Sequence, residues 1–156
     1  MPYSLESRDQ QYKKIEYKYD LISGNVNEVH YQPGQKDQYL HRYSYDADNR
    51  ITSVETSIDN VNWTKDAKYF YYKHGPLKRV ELGEYKVQGM DYVYTLQGWI
   101  KAVNSNNLST ATDQGQDGAA LSTNVNKNIA TDVYGYSLGY YAGDYKPIQA
   151  RAVAND

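Results

Sequence analysis

Apolar and polar positions alternate along much of the chain, and the alternation breaks at regular places. Residues 42–55, RYSYDADNRITSVE, set two tyrosines two apart, then a polar run, then Ile51 and Val54. Period two is the spacing of side chains on one face of a strand. Asp, Asn and Gly between two such runs supply turn chemistry. The stretch therefore predicts a β-hairpin. Measured from Tyr45, Tyr43 lies two residues before, Asn49 four after, Ile51 six after and Val54 nine after. From Tyr71 the same offsets give Tyr69, Gly75, Leu77 and Val80. From Tyr94 they give Tyr92, Gly98, Ile100 and Val103. From Tyr19 they give Tyr17, then Gly24, Val26 and Val29, with one residue inserted in the turn. Return strands are thus predicted to start at Val26, Ile51, Leu77 and Ile100. One spacing resists a flat strand. Ile51 and Val54 are three apart, so either a bulge separates them or both faces are covered, and the pattern leaves both open.

The repeats predict an all-β chain: a curved, open antiparallel sheet of repeated hairpins, with about eight to ten strands. Residues 1–14 read as an N-terminal segment or partial repeat and 15–103 as four hairpin repeats. Residues 104–131 are a long polar loop without a single aromatic. A loop of that length in a compact domain is unusual, and it is expected to be mobile or to reach another part of a larger assembly. Residues 132–156 bring back dense Tyr and Gly and predict one further strand or irregular hairpin, followed by a tail. Helical periodicity is scarce; a short turn near Asn126–Asp132 is the best candidate.

Composition changes the picture in one respect. The chain has 19 Tyr against 1 Phe and 2 Trp, and Leu, Ile, Val and Phe together number 28 of 156 residues. Tyrosine must supply much of the buried area, and its hydroxyl must reach water or a partner. That suits a thin wall, packed on one side and wet on the other. The net charge of −2 gives no basic field for nucleic acid and no polybasic membrane patch. No membrane insertion is expected, since no apolar run approaches the ~18 residues that a span needs. No signal peptide is visible at the N-terminus, and the absence of Cys removes disulfides and thiolate chemistry.

Candidate chemistry is weighed against plainer roles. Gly135-Tyr136-Ser137-Leu138-Gly139 matches G-x-S-x-G, which needs a strand before Ser, a helix after it and a His to take the proton. All three His, at 30, 41 and 74, lie upstream, and turn glycines between strands are the expectation. The three His lack metal-type spacing and are expected in partly exposed strands or turns. Asp113-Gln114-Gly115-Gln116-Asp117-Gly118 suggests calcium, but lacks the alternating acids and terminal Glu of an EF-hand; a solvated turn is expected. Asp46 with Asp48 and Asp59 with Asp66 are carboxylate pairs in turn-like surroundings. The basic stretch Lys68, Lys73, Lys78 and Arg79 reads as a solvated strand face. Trp63 and Trp99 can stack on sugar rings, and stacking on bases would need a basic groove. A non-enzymatic chain with no cofactor and no metal is expected.

Four phrases carry a family likeness: YKYDLISGNVNEV, YSYDADNRITSV, YFYYKHGPLKRV and YVYTLQGWIKAV. They resemble the YD repeat of the bacterial RHS family, over residues 15–103. The first two keep Asp after the second Tyr; the third has Tyr72 and the fourth Thr95. LQGWIKAVN and YGYSLGYYAGDYKPI also look like stretches of large RHS-type chains. The resemblance implies sheets that spiral into a hollow shell, often enclosing a toxic C-terminal domain; related animal proteins use such shells in adhesion. It makes Tyr17, Tyr19, Tyr43, Tyr45, Tyr69, Tyr71, Tyr92 and Tyr94 the repeat-defining structural residues. It implies a wall segment of a secreted or cell-surface parent, with an enclosed toxin domain as cargo. Its partners would be other segments of a longer chain, or its own copies, through sheet edges. Four units are too few to close a shell, and neither a toxin domain nor an Asp-Pro-type self-cleavage segment is visible. The alternative is a module that binds glycan or protein through exposed Tyr and Trp.

Overall fold

The computed structural model describes residues 12–105, 107–119 and 123–144, and all regular structure among them is β. The strands are β1 (Ile15–Tyr19), β2 (Val26–Tyr31), β3 (Tyr39–Tyr45), β4 (Ile51–Ser57), β5 (Thr64–Tyr71), β6 (Leu77–Leu82), β7 (Gln88–Tyr94), β8 (Ile100–Val103) and β9 (Tyr136–Ser137). The four return strands start at the residues the repeat predicts. Nearly all of segment 1–14 and the tail beyond 144 lie outside the described residues. The chain forms two compact units. One holds the described residues up to Phe70 together with Glu81–Lys86; the other holds Tyr71–Val80 and the described residues from Val87 onward. Strands β1 to β4 and nearly all of β5 belong to the first unit, and β7 to β9 belong to the second. Strand β6 is divided, with residues 77–80 in the second and its last two residues in the first; the strand order follows the sequence throughout.

The hairpins share one turn. The residue after the second Tyr donates its N–H across the turn: Asp20 to Asn25, Asp46 to Arg50, Tyr72 to Pro76 and Thr95 to Trp99. The same residue's C=O accepts from Gly24, Asn49, Gly75 and Gly98 respectively. Those four residues have φ of 76°, 60°, 115° and 86°, a region where Gly is free of strain and Asn is the best-tolerated alternative.

A bulge resolves the Ile51–Val54 spacing. Tyr45 pairs with Ile51, Ser44 with Ser53 and Tyr43 with Val54, so Thr52 is the extra residue. Hairpin β1–β2 does the same, with Tyr19 opposite Val26 and Tyr17 opposite Val29. So does β7–β8, with Tyr94 opposite Ile100 and Tyr92 opposite Val103. One residue of the return strand is looped out, and both tyrosines then share a face with both aliphatic partners.

In the first unit the two faces differ sharply. One carries Tyr17, Tyr19, Val29, His41, Tyr43, Tyr45 and Val54. Burial, with Tyr45, Tyr69 and Tyr17 nearby, raises the Tyr43 hydroxyl above its ordinary pKa. Tyr45 donates to the Val26 carbonyl at 2.8 Å, which ties the second hairpin to the first through a group Phe lacks. The other face is a ladder of charges. Lys18 and His30 each meet Glu28 at 2.7 Å, and Arg42 meets Glu55 while covering the Trp63 ring at 4.2 Å. Leu40 lies on this charged face, between His30 and Ser57, and at 2% exposure it is more buried than any tyrosine among the described residues. The rings stay half-exposed, and among the described residues the buried apolar side chains are Leu40 and Ala67 in this unit and Val80, Val103 and Ile129 in the other.

In the second unit β9 pairs with β8, as the Tyr-rich tail predicts. Described residues of the long polar loop bond to the rest of this unit and to one another. Ala130 bridges to Gln88, Asn104 Nδ2 donates to the Tyr134 carbonyl, and Asn126 Nδ2 donates to the Gly115 carbonyl. Residues 125–128 form a turn, not a helix.

Candidate functional site

The sequence candidates for enzyme chemistry fall into ordinary roles. Ser137 lies within β9, paired with Ala102, where a nucleophile elbow needs a sharp turn into a helix. Gly135 lies where a Cβ would meet the Ser105 carbonyl, so it serves close backbone approach. Asp46 Oδ1 accepts the N–H groups of Asp48 and Arg50. Asp59 Oδ1 accepts those of Val61 and Asn62, which holds its carboxyl well below the usual range. Asp66 departs from the turn-like expectation, because it belongs to strand β5. His41 stacks on Tyr43 and His74 on Tyr72. His30 is buried against Glu28 and not partly exposed.

The aromatic candidates separate. Trp63 is half-buried beneath Arg42. Trp99, in the β7–β8 turn, is 51% exposed. It lies 5.1 Å from Tyr140, ring centre to ring centre, and with Ile100, Leu138 and Tyr140 lines an open apolar depression. The repeat tyrosines form the half-buried face described above. Among the described residues no strand pairs with the outer edge of β1. Gln32 N–H bonds Lys14 C=O, and antiparallel alternation then points the N–H and C=O groups of Ile15 and Tyr17 outward.

The most unusual site lies beneath the polar loop, where the sequence suggests solvated turns. Lys78 is exposed, but Arg79, next in β6, faces inward and is buried. Its Nη1 donates to Asp91 Oδ2 on β7. Its Nη2 donates to Asp117 Oδ1 on the loop at 2.6 Å. Gly89 and Gly115 flank the guanidinium so closely that a Cβ on either would collide with it. Asp117 is 1% exposed, and its N–H donates to Asp113 Oδ2 at 3.0 Å. Asp132 faces Asp113 from the far end of the loop. Neither oxygen of Asp132 receives a hydrogen bond, nor does Asp113 Oδ1.

Four buried carboxylates thus gather beneath the loop, two of them on one guanidinium. Removing a carboxylate from water disfavours its charged form. Burial pushes the Asp91 carboxyl up to about 6, against the pull of Arg79. Burial first, then Asp113, pushes Asp132 up to about 7, with Asp117 and Asp91 adding to the effect. The folded chain therefore holds these protons more tightly than the unfolded chain. Stability should fall as pH rises from the ordinary carboxylate range toward 7. Thermal unfolding in chelator at pH 5 and pH 8 checks the sign: the midpoint should be lower at pH 8.

The solvated-turn reading of Asp113–Gly118 and the solvated-face reading of Arg79 are thereby corrected. The sequence signal was the pairing of glycines with acids in DQGQDG, read together with Gly89. No protein-family model matches the chain, and no curated protein matches it.

Proposed function

We propose that this chain is a structural wall segment of the RHS type, which encloses or presents another polypeptide and carries no enzymatic activity. The observation that carries the reading is the common register of the hairpins. In three of the four hairpins the looped-out residue puts the Tyr pair and its aliphatic partners on one face, which supports reading the repeat as a building unit. Neighbour-to-neighbour strand order fits a repeat protein, whose stability comes from contacts between adjacent units. The outward-facing N–H and C=O groups of β1 are a template for a further strand, from a longer chain or from a second copy.

Light scattering tests the edge. The wild-type mass should rise with concentration. Tyr17→Pro removes an N–H that points away from β2, and should abolish association while leaving the far-UV circular dichroism unchanged. A wild type monomeric at every concentration, or a Pro variant that associates equally, counts against the reading.

A second reading rests on Trp99 and Tyr140. Their exposed, tilted rings above Ile100 and Leu138 offer a stacking surface for a sugar. Oligosaccharide titration should shift Trp emission, and Trp99→Phe should remove the shift, since Trp63 is covered. A wall segment alone predicts no response.

A further inference from the structure

We infer that the acidic cluster beneath the polar loop is a binding site for a hard divalent cation, calcium by size, which clamps the loop onto strand β7. Two independent observations carry this. The first is geometric: Asp91, Asp113 and Asp117 each offer a carboxylate oxygen, and the three atoms lie within 4.8 Å of one another. Calcium–oxygen distances are about 2.3–2.6 Å, so one ion can touch oxygens separated by up to about twice that.

The second is the unanswered acid. Asp132 is 9% exposed, both its oxygens are buried without a hydrogen bond, and it faces Asp113, whose Oδ1 is in the same condition. Two carboxylates have no donor between them. A buried carboxyl group in that condition is costly, and only a proton or a cation can sit between such a pair. Arg79 does not fill that role, because neither Asp132 oxygen nor Asp113 Oδ1 receives a hydrogen bond from any group.

One proton would leave most of the excess negative charge in place, whereas a divalent ion offsets two of the four carboxylates and Arg79 a third. All the donors are carboxylate oxygens, which suit a hard cation and not a soft one. Calcium is favoured over magnesium because magnesium demands near-ideal octahedral geometry and keeps several waters, while calcium accepts irregular cages of protein oxygens. The ligands come from β7 and both ends of the loop, so the ion would act as a clasp.

The test uses the full chain, stripped with chelator and held at pH 8. Calcium chloride titrated calorimetrically should bind near one equivalent and raise the unfolding midpoint, with magnesium chloride weaker. Asp113→Asn and Asp132→Asn should each weaken calcium binding by at least about tenfold. Should a variant fail to fold, hydrogen exchange on the wild type locates the site: calcium should slow exchange at residues 113–118. Neither heat nor a midpoint shift with either ion, up to millimolar concentration, overturns the inference. So does a calcium response that leaves exchange at 113–118 unchanged. Asp132→Asn stabilising the calcium-free protein, with no ion response in the wild type, would assign the pair to a shared proton instead.

Discussion

Replacing Arg79 with Met should destabilise the second unit by about 3–5 kcal/mol, because the change strands buried charge. Arg79 bridges Asp91 on one strand and Asp117 on the loop, and both acids are almost wholly buried. Met keeps much of the stem's volume and removes the guanidinium, so the cost isolates the charge. Lysine should not rescue it, since a single ammonium cannot reproduce a planar fork that reaches two carboxylates at once. Urea unfolding followed by near-ultraviolet circular dichroism measures the loss. A loss under about 1 kcal/mol would be the value of an exposed ion pair and would contradict the buried geometry. If the clasp is correct, calcium should recover part of the loss, because it supplies the charge that Met removes.

Leu40→Ala is the corresponding prediction for the first unit, at about 2–5 kcal/mol, from lost transfer energy plus the cavity left behind. Leu40 is the large apolar side chain most fully withdrawn from water. Its cross-strand neighbours are His30 and Ser57, both buried, so little apolar material can slump into the gap. A tyrosine on the opposite face should cost less. Tyr17→Ala removes a ring already half in water and should fall near 1 kcal/mol, within the ordinary range for single substitutions. Equal losses for Leu40 and Tyr17 would put the hydrophobic anchor back on the tyrosine face.

Local chemistry made the hairpins legible in the sequence. Asn49 and three glycines mark the left-handed turn position, and aliphatic residues mark where each return strand begins. The bulge was visible only as a contradiction, because the three-residue spacing of Ile51 and Val54 fits no flat strand. Leu40 was overlooked because the tyrosines set the apparent pattern of the face, and it lies across the sheet from them. The buried acids were hidden for a different reason. Arg79 and Asp117 are 38 residues apart, and Arg79 is written among exposed lysines. Asp113, Asp117 and Asp132 sit in a stretch whose composition is that of any solvated loop. Beside the glycine–acid pairing in DQGQDG, strand alternation offers a second clue, since consecutive residues Lys78 and Arg79 face opposite ways.

The looped-out residue also dictates where such a chain can change length as it evolves. The first hairpin carries an additional residue before Val26, yet Val26 and Val29 keep the spacing of Ile51 and Val54. The insertion falls in the turn, where it enlarges a loop and disturbs nothing downstream. A single residue inserted after Ser53 would instead invert every later side chain of β4 relative to β3, sending Val54 among the charges and Glu55 among the rings. Natural single-residue insertions should therefore collect in the turns and be purged from the strand beyond the looped-out residue.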